Sequence, residues 1–560
     1  MKLTDKQDEV KTAVLNAKPG EIITLKGYAG TGKTATAAEI IADFSNTHGL
    51  FGQVPVLVAA PTAAAVAVLK SKLASKSLNI AFKTLASVCQ KHVEIVTFLD
   101  TDFIIDDEHI SDLYQVLAKF GCDQKQIETF VQVITQSFKT SSGERKVNIY
   151  NVDLARLNEF FNERFKGSVK ATTRNDFILL HPQDIASTLA KYALVVLDEM
   201  SMVGSELFNA FHQAIQLLEN RAPVVLTCGD PGQLQPVQAK MNDAMLSAPD
   251  GKHSFLLEEI LRSTDGIAQL GQFIRKGVPI DGLADFFEDA IDVIRTQQDT
   301  QSLLKSQEQK LLEADVVISY RNNVVKQANE FIRAKKITYD QLHSLQVGEP
   351  IVIKQNAGYA GGGYITFANG ELYQVAKIYE PTTAIMKYFS AIENCSSHRF
   401  NIRLDVLDDE KNAIAIKEAI LQKLGQADAT SEMGALGYIY EGLSSRNLLM
   451  VEFISPLGAT NTAIVKHDLK DDTSNIAKIA MKVMANFSKA MDGQLPYVKA
   501  DFGYAVTIHK AQGSEWKNVC CILFKNDLAI AGKLNPQDRK SLPYTAVTRA
   551  KEKVKILYVV

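Results

Sequence analysis

The chain has 560 residues, 46% of them hydrophobic, too many for one ordinary core and enough for roughly three or four domains. Its 61 Lys and Arg against 64 Asp and Glu leave a net charge of −3, which disfavours a passive strand-coating protein and requires any grip on nucleic acid to be local. No run approaches the roughly 18 uninterrupted apolar residues of a membrane span, and MKLTDKQDEV lacks the apolar core of a secretory signal, so a cytoplasmic location without membrane contact is expected. Six cysteines lie scattered without a C-x-x-C pair. They read as reduced thiols, and Cys520 and Cys521 fall in a strand-like run, VCCILF, where neighbours point to opposite faces.

The first strong local signal is EIITLKGYAGTGKTATAAEII, which predicts a strand over Glu21–Leu25, a glycine-rich turn and a helix from about Thr34. It has the form of a P-loop in its proper context. Gly27, Gly30, Thr31 and Gly32 supply a loop whose backbone N–H groups face phosphates, Lys33 reaches the β and γ oxygens, and the Thr34 hydroxyl is a Mg²⁺ ligand. A bare glycine-rich turn is the competing explanation.

Next come VPVLVAAPT from Val54, then ALVVLDEMSMV, a buried-type strand over Ala193–Leu197 ending in two acids. Asp198 is the candidate metal ligand and Glu199 the candidate that poises an attacking water. Alone, such a pair is equally a solvated turn or a helix N-cap; with a P-loop upstream the catalytic reading prevails. APVVLTCGD from Ala222 and HSFLLEE from His253 continue the pattern, and ADVVISY from Ala314, NVCCILF from Asn518 and the terminal KVKILYVV form a second set. Strands alternating with helices predict an α/β fold with two parallel sheets, each covered on both faces.

Taken in order, these motifs resemble superfamily 1 helicases of the RecD and Dda-like branch, whose phage members are small replication-associated DNA helicases. LTDKQ resembles the adenine-reading Q motif, with Gln7 as the amide; an exposed Gln near a terminus is the alternative. APTAAAV resembles the strand-contacting motif, with Thr62 meeting phosphates, although a plain N-cap explains Thr62 as well. GDPGQLQPV resembles the third motif, in which Gln233 senses the γ-phosphate. LRS and YTAVTRAKEKV place Arg262 and Arg549 where the family keeps arginines that neutralise charge on the transferring phosphoryl group. YAVTIHKAQGSEWKNV resembles the fifth motif: Thr507, His509 and Lys510 face the strand, and Gln512, Gly513 and Glu515 face the nucleotide or hinge. On residue type alone His509 reads as a core histidine, Trp516 as packing and Arg321 as a solvated surface group.

Two departures stand out. Relatives commonly show Thr-Ile-His after the Ia region, where this chain has Thr84-Leu85-Ala86, so Thr84 is kept as a strand contact without the histidine. Leu261, before Arg262, stands where other branches keep an aromatic against adenine.

The organisation expected is a first RecA-like domain over 1–94 and 190–260, a second over 261–349 and 500–560, and insertions over 95–189 and 350–499. The resemblance implies a strand-separating pin in the first insertion, and SFKTSSGERKVNIY suits one, with Phe138 and Tyr150 as aromatics beside a polar turn; a surface hairpin away from the fork is the alternative. In the second insertion VGEPIVIKQN and TFANGELYQVAKIYE predict short strands and a turn at Asn369-Gly370, resembling the family's small Src-homology-like barrel.

The expected activity is ATP- and Mg²⁺-dependent translocation on single-stranded nucleic acid, with DNA favoured by resemblance, movement 5′ to 3′, duplex unwinding in replication, recombination or repair alongside proteins of those processes, and a monomeric enzyme. A nucleic-acid-stimulated P-loop ATPase that does not unwind, an RNA helicase and a small-molecule kinase are the alternatives.

Overall fold

Five fully or largely buried apolar runs and one half-buried edge strand organise the first half of the chain. The computed structural model describes residues 3–48, 54–62, 65–66, 69–70, 73, 79–89, 91–94, 169–171, 176–179, 182–236, 241–261, 265–280, 283, 291–360, 364–367, 369–396, 432–455, 458–470, 474–490 and 495–560. Within these, β1 (Ile22–Gly27), β2 (Val56–Ala60), β3 (Ile80–Thr84), β7 (Leu194–Leu197), β8 (Val224–Gly229) and β9 (Ser254–Leu257) form one parallel sheet in the order β3-β2-β7-β8-β1-β9. Every residue of β2, β7 and β8 is buried, as expected of strands covered on both faces. The helix Asp5–Leu15 starts at a capping box in which Thr4 and Gln7 satisfy each other's backbone N–H, and its Val10 and Val14 enter the core with Ile40, Ile41 and Phe44.

A second parallel sheet takes β10 (Ile291–Thr296), β11 (Val316–Ser319), β19 (Ala505–Thr507), β20 (Trp516–Phe524) and β21 (Ala550–Val559) in the order β10-β21-β20-β11-β19. Cys520 and Cys521 point to opposite faces of β20 and enter two different cores, where burial pushes both thiols up, Cys520 to about 12. Trp516 packs partly buried against the core that takes Cys521.

Between β11 and β19 the chain builds an antiparallel barrel from β12 (Pro350–Ile353), β15 (Leu372–Ile378), β16 (Leu448–Ile454), β17 (Thr460–Lys466) and β18 (Ala500–Phe502), ordered β17-β16-β15-β12-β18. One continuous segment closes it. Leading into β18, the Leu495 N–H donates to Thr462 O, the Ile464 N–H to Pro496 O and the Val498 N–H to Ile464 O, so the chain leaves β17 and reaches β12 within a few residues. The lumen is filled by Ile351, Ile353, Phe367, Tyr373, Val451 and Phe453 among others. The hairpin of β13 (Ala357–Ala360) and β14 (Tyr364–Phe367) is nested between β12 and β15. Asn369-Gly370 does turn the chain, with Gly370 at φ +86°, but it joins β14 to a strand that pairs with β12. Helices Pro381–Ser396, Glu432–Ser444 and Asn475–Ala490 share a further core of Tyr388, Ile439, Leu443 and Met484.

The barrel is tied to the second sheet's helix Asn322–Lys336 by a buried ion pair. Arg333 donates through Nε to Glu349 Oε1 at 2.6 Å, lies over the Phe502 ring at 4.2 Å and donates to the Ser344 carbonyl; Tyr504 OH donates to the same Glu349 oxygen at 3.2 Å.

Both sheets and the barrel belong to one compact unit, Met1–Thr84, Tyr192–Gly204 and Pro223–Val560. A second unit takes Leu85–Lys191 with Ser205–Ala222, more of the chain than the 95–189 segment set apart from the sequence. In it β4 (Lys91–Glu94), β5 (Val169–Ala171) and β6 (Asp176–Leu179) form an antiparallel sheet ordered β4-β6-β5, and helix Pro182–Leu189 packs on helix Ser205–Leu218. The candidate pin, with Phe138 and Tyr150, lies outside the described residues.

Candidate functional site

Parallel α/β sheets present their ligand sites at the carboxyl ends of the strands, where loops lead into helix N-termini. At the end of β1 the chain passes through Tyr28 and Ala29 and reaches Gly30 and Gly32, at φ +85° and +81°, a left-handed region that L side chains rarely adopt. A Cβ on Gly32 would also stand 2.9 Å from Gln7 Nε2. The helix Lys33–His48 follows directly. Lys33 Nζ donates to the carbonyls of Gly27 at 2.9 Å and Tyr28 at 3.0 Å, folding over the loop it belongs to.

Gln7 is 1% exposed, which excludes the exposed-terminus alternative. Its Oε1 accepts from the Thr4 N–H at 3.0 Å and its Nε2 donates to the Thr31 carbonyl at 3.1 Å, so the amide braces the phosphate loop. Beside it Thr4, Asp5, Glu258, Glu259 and Leu261 line a solvent-open hollow of about 990 Å³. The Leu261 N–H donates to the Gly30 carbonyl at 2.9 Å, tying this segment to the loop; Arg262, the next residue, is outside the described residues.

The end of β7 brings in the two acids. Asp198, buried, accepts from the Thr34 hydroxyl at 3.2 Å and from the Glu199 N–H at 2.9 Å. Glu199 itself holds φ 52°, ψ 39°, a left-handed conformation costly for a residue with a Cβ. Burial, then the Asp198 charge, push its carboxyl above the ordinary value, against the pull of Lys33 and Arg549. Its Oε2 has no hydrogen-bond partner, and neither has Oε1 of the buried Gln233.

From the second sheet, Arg549 lies 3% exposed with Nε donating to the Thr545 carbonyl at 3.0 Å and an Nη to the Thr548 hydroxyl at 3.2 Å. Gly513, at φ +84°, and Glu515, paired with Lys551 at 3.1 Å, stand nearby. Gln512 is buried with both amide atoms unpartnered. Gly30, Gly32, Lys33, Thr34, Asp198, Glu199, Gln233, Gly513, Glu515 and Arg549 thus line one cleft of about 540 Å³, part of it open to solvent. The cleft gathers phosphate-loop donors, acids and a guanidinium from two sheets far apart in sequence.

The strand-contact candidates are placed separately. Thr62 accepts from the Ala65 N–H at 3.2 Å, as an N-cap does, while Thr84 ends β3 opposite Ala60 of β2. Thr507 caps the helix Ile508–Ala511 by accepting from the Lys510 N–H at 3.3 Å. His509 is exposed, not a core residue, with its ring 6.1 Å from that of Tyr320. Arg321 is not merely solvated: its Nε donates to the buried Asp527 at 2.7 Å and its guanidinium lies over Phe524.

Three side chains that the motifs did not single out sit at the seam of the sheets. Asp230, Arg275 and Tyr544 are hydrogen-bonded together, Tyr544 OH donating to Asp230 at 2.7 Å. A buried Asp in GDPGQ and the Tyr opening YTAVTRA were the only sequence hints.

An AAA domain model matches residues 10–239, and a UvrD-like helicase C-terminal domain model matches residues 502–557. Together these two matches support a superfamily 1 helicase. An uncharacterized protein of Acanthamoeba polyphaga mimivirus is 22% identical over 387 residues, 64% of this chain and 74% of that protein. Among solved structures, the Pif1 helicase from Candida albicans is similar at 13% identity and a TM-score of 0.45, covering 100% of this chain and 95% of the other. Bacteroides Pif1 bound to single-stranded DNA is similar at 14% identity and a TM-score of 0.42, covering 99% and 92%. Among the described residues no helix is long and apolar enough to cross a membrane, and no cluster of His, Cys, Asp and Glu has the makings of a metal site on its own.

Proposed function

We propose that the chain is an ATP-driven DNA helicase of the RecD and Dda-like branch, translocating 5′ to 3′ on one strand and unwinding duplex during replication, recombination or repair, as a monomer. The observation that carries the reading is the single cleft in which the phosphate loop, Asp198, Glu199 and Gln233 of one parallel sheet face Arg549, Gly513 and Glu515 of another. A kinase of small molecules has no need of a second sheet's guanidinium at the phosphates.

In this reading the loop amides between Gly27 and Lys33 bind the phosphates, and Lys33 leaves its two carbonyls for the β and γ oxygens. Thr34 and Asp198, already in contact, fit a Mg²⁺ ion, a hard cation served by a hydroxyl and a carboxylate; bound there, it neutralises phosphate charge. Glu199 Oε2 and Gln233 Oε1, both buried acceptors without donors, suit the attacking water, which has two protons to give. Arg549, joined by Arg262, stabilises charge on the transferring group, an interaction worth about 10³ to 10⁵ in rate in related chemistry. Gln7 with Gln512 serves the nucleotide's outer parts.

Binding closes the two sheets on ATP, hydrolysis releases them, and Thr62, Thr84, Thr507, His509 and Lys510 alternate in holding the strand. The direction rests on the G-D-x-x-Q-L form of the third motif, and the choice of DNA on the family resemblance as a whole. An ATPase and unwinding assay on matched DNA and RNA duplexes with a 5′ or a 3′ tail tests all of this. Unwinding of 5′-tailed DNA is expected; unwinding from 3′ tails only overturns the direction, RNA preference the substrate, and stimulated hydrolysis without strand separation the helicase reading.

A further inference from the structure

Tyr544, in helix Asp538–Val547 beside the second sheet, is 2% exposed, and its hydroxyl is used twice. It accepts from the Ala29 N–H of the phosphate loop at 2.9 Å and donates to Asp230 Oδ2 at 2.7 Å. Asp230, at the end of β8, is fully buried and receives further bonds from the Gly232 N–H at 2.9 Å and from the Arg275 guanidinium. Gln233 Nε2 adds a longer bond to Oδ2 at 3.5 Å, so every hydrogen-bond partner of this carboxyl among the described residues is a donor. Arg275 also lies over the ring of Tyr28 at 4.2 Å, so it too touches the phosphate loop. A Cβ on Gly232 would fall 2.4 Å from Arg275 Nη1: glycine at this point of GDPGQ is what admits the guanidinium.

Two side chains carried by the second sheet's helices therefore grip one buried carboxylate of the first sheet, three residues before the cleft-lining Gln233. The same tyrosine hydroxyl holds the phosphate loop. We propose that Tyr544 is a positioning residue for hydrolysis, fixing the phosphate loop through Ala29 only while the second sheet is docked on Asp230, with Arg275 as the anchor of that docking. The loop and Gln233 are then set by one docking event, and turnover depends on the sheets being together. The inference rests on the ATPase reading above and adds to it a residue that need not touch the nucleotide.

Tyr544→Phe deletes the hydroxyl and keeps the ring, leaving the Ala29 N–H without its partner and Asp230 Oδ2 with only the long bond from Gln233 Nε2 at 3.5 Å. With that loop contact unmet, the kcat of oligo-dT-stimulated hydrolysis should fall at least about fivefold while KM for ATP stays within about threefold, because Lys33 and the loop amides remain. Asp230→Asn should do the same, and the double variant should be no worse than the worse single, as expected of groups acting as one unit. Gly232→Ala, which displaces the guanidinium without touching Tyr544, should lower kcat similarly, and this second route keeps the test sound should Tyr544→Phe fold poorly. Wild-type kcat in Tyr544→Phe, or losses that multiply in the double variant, would overturn the role of Tyr544. Wild-type kcat in Gly232→Ala would overturn the anchor. A wild-type chain that never hydrolyses ATP would instead sink the reading beneath it.

Discussion

The Thr34 hydroxyl donates to the Asp198 carboxylate at 3.2 Å, joining the first turn of the phosphate-loop helix to the end of β7 across the sheet. Such a pair is a ready set of hard oxygen ligands. Hydrolysis should stop when EDTA removes divalent cations and return with Mg²⁺. Asp198→Asn should raise the Mg²⁺ concentration for half-maximal rate by at least about tenfold, read from rate against Mg²⁺ titrations. An unchanged requirement would place the metal elsewhere.

Among the described residues, the hydrogen bonds of Lys33 go to two carbonyls of its own loop. Lys33→Ala therefore leaves the fold intact, at a cost of about 1 to 3 kcal/mol for two part-buried hydrogen bonds. It should nonetheless lose at least about 100-fold in kcat, since the cation's contact with the phosphates strengthens as charge develops. Thermal unfolding and steady-state hydrolysis on one sample separate the two effects, and near-normal turnover would refute the site.

Much of this arrangement was legible in the sequence, for reasons that also mark its limits. Continuous apolar runs such as VLVAA and VVLTCG announced parallel strands because both faces of a RecA-like sheet are covered, and glycines before Lys33 marked the turn. What period and turn chemistry cannot name is the partner. Asn369-Gly370 was visible as a turn, yet β15 pairs with β12 across an intervening hairpin, and the closure of the barrel by 495–498 depends on β17, some thirty residues upstream. Asp230 and Tyr544 stand 314 positions apart, so their bond leaves no local trace. Residue type alone also misled on surroundings: His509 is exposed and not in a core, and Arg321, though 40% exposed in its side chain, is paired with the buried Asp527.

Arg333 and Glu349 are 8% and 2% exposed in their side chains, and Glu349 also accepts from the Gln346 N–H at 2.7 Å. Removing one member of such a pair strands a charge in the interior. Arg333→Met should cost about 3 to 5 kcal/mol in chemical denaturation, whereas Arg333→Met with Glu349→Leu should recover most of that, because the desolvated carboxylate goes too. If the double variant is the less stable, the pair contributes more than mutual neutralisation. The barrel junction carries this energy, so ATP binding at the cleft should survive in the double variant.

Glu199 combines a strained backbone, a bare buried oxygen and a carboxyl whose proton is held more tightly than usual. Burial is the first cause and the Asp198 charge the second. Two consequences have opposite signs. As the group that takes a proton from water, it must be ionised, so hydrolysis should fall as pH drops through a pKa lying above the ordinary 4.5. For stability, the folded chain binds this proton more tightly than the unfolded one. The Glu199 contribution is therefore intact below the unfolded value of 4.5 and is lost as pH rises through the folded one, leaving a net cost at neutral pH. Glu199→Gln removes that cost along with the base. It should bind ATP with near-normal affinity, turn over at least about 100-fold more slowly, and melt at a higher temperature than wild type at pH 7.5. The melting difference should shrink towards zero as pH approaches 4, where the wild-type carboxyl is protonated in both states. A variant that melts lower at pH 7.5, or a difference that does not change with pH, would show that Glu199 is held ionised without penalty and that its raised proton affinity does not govern the site.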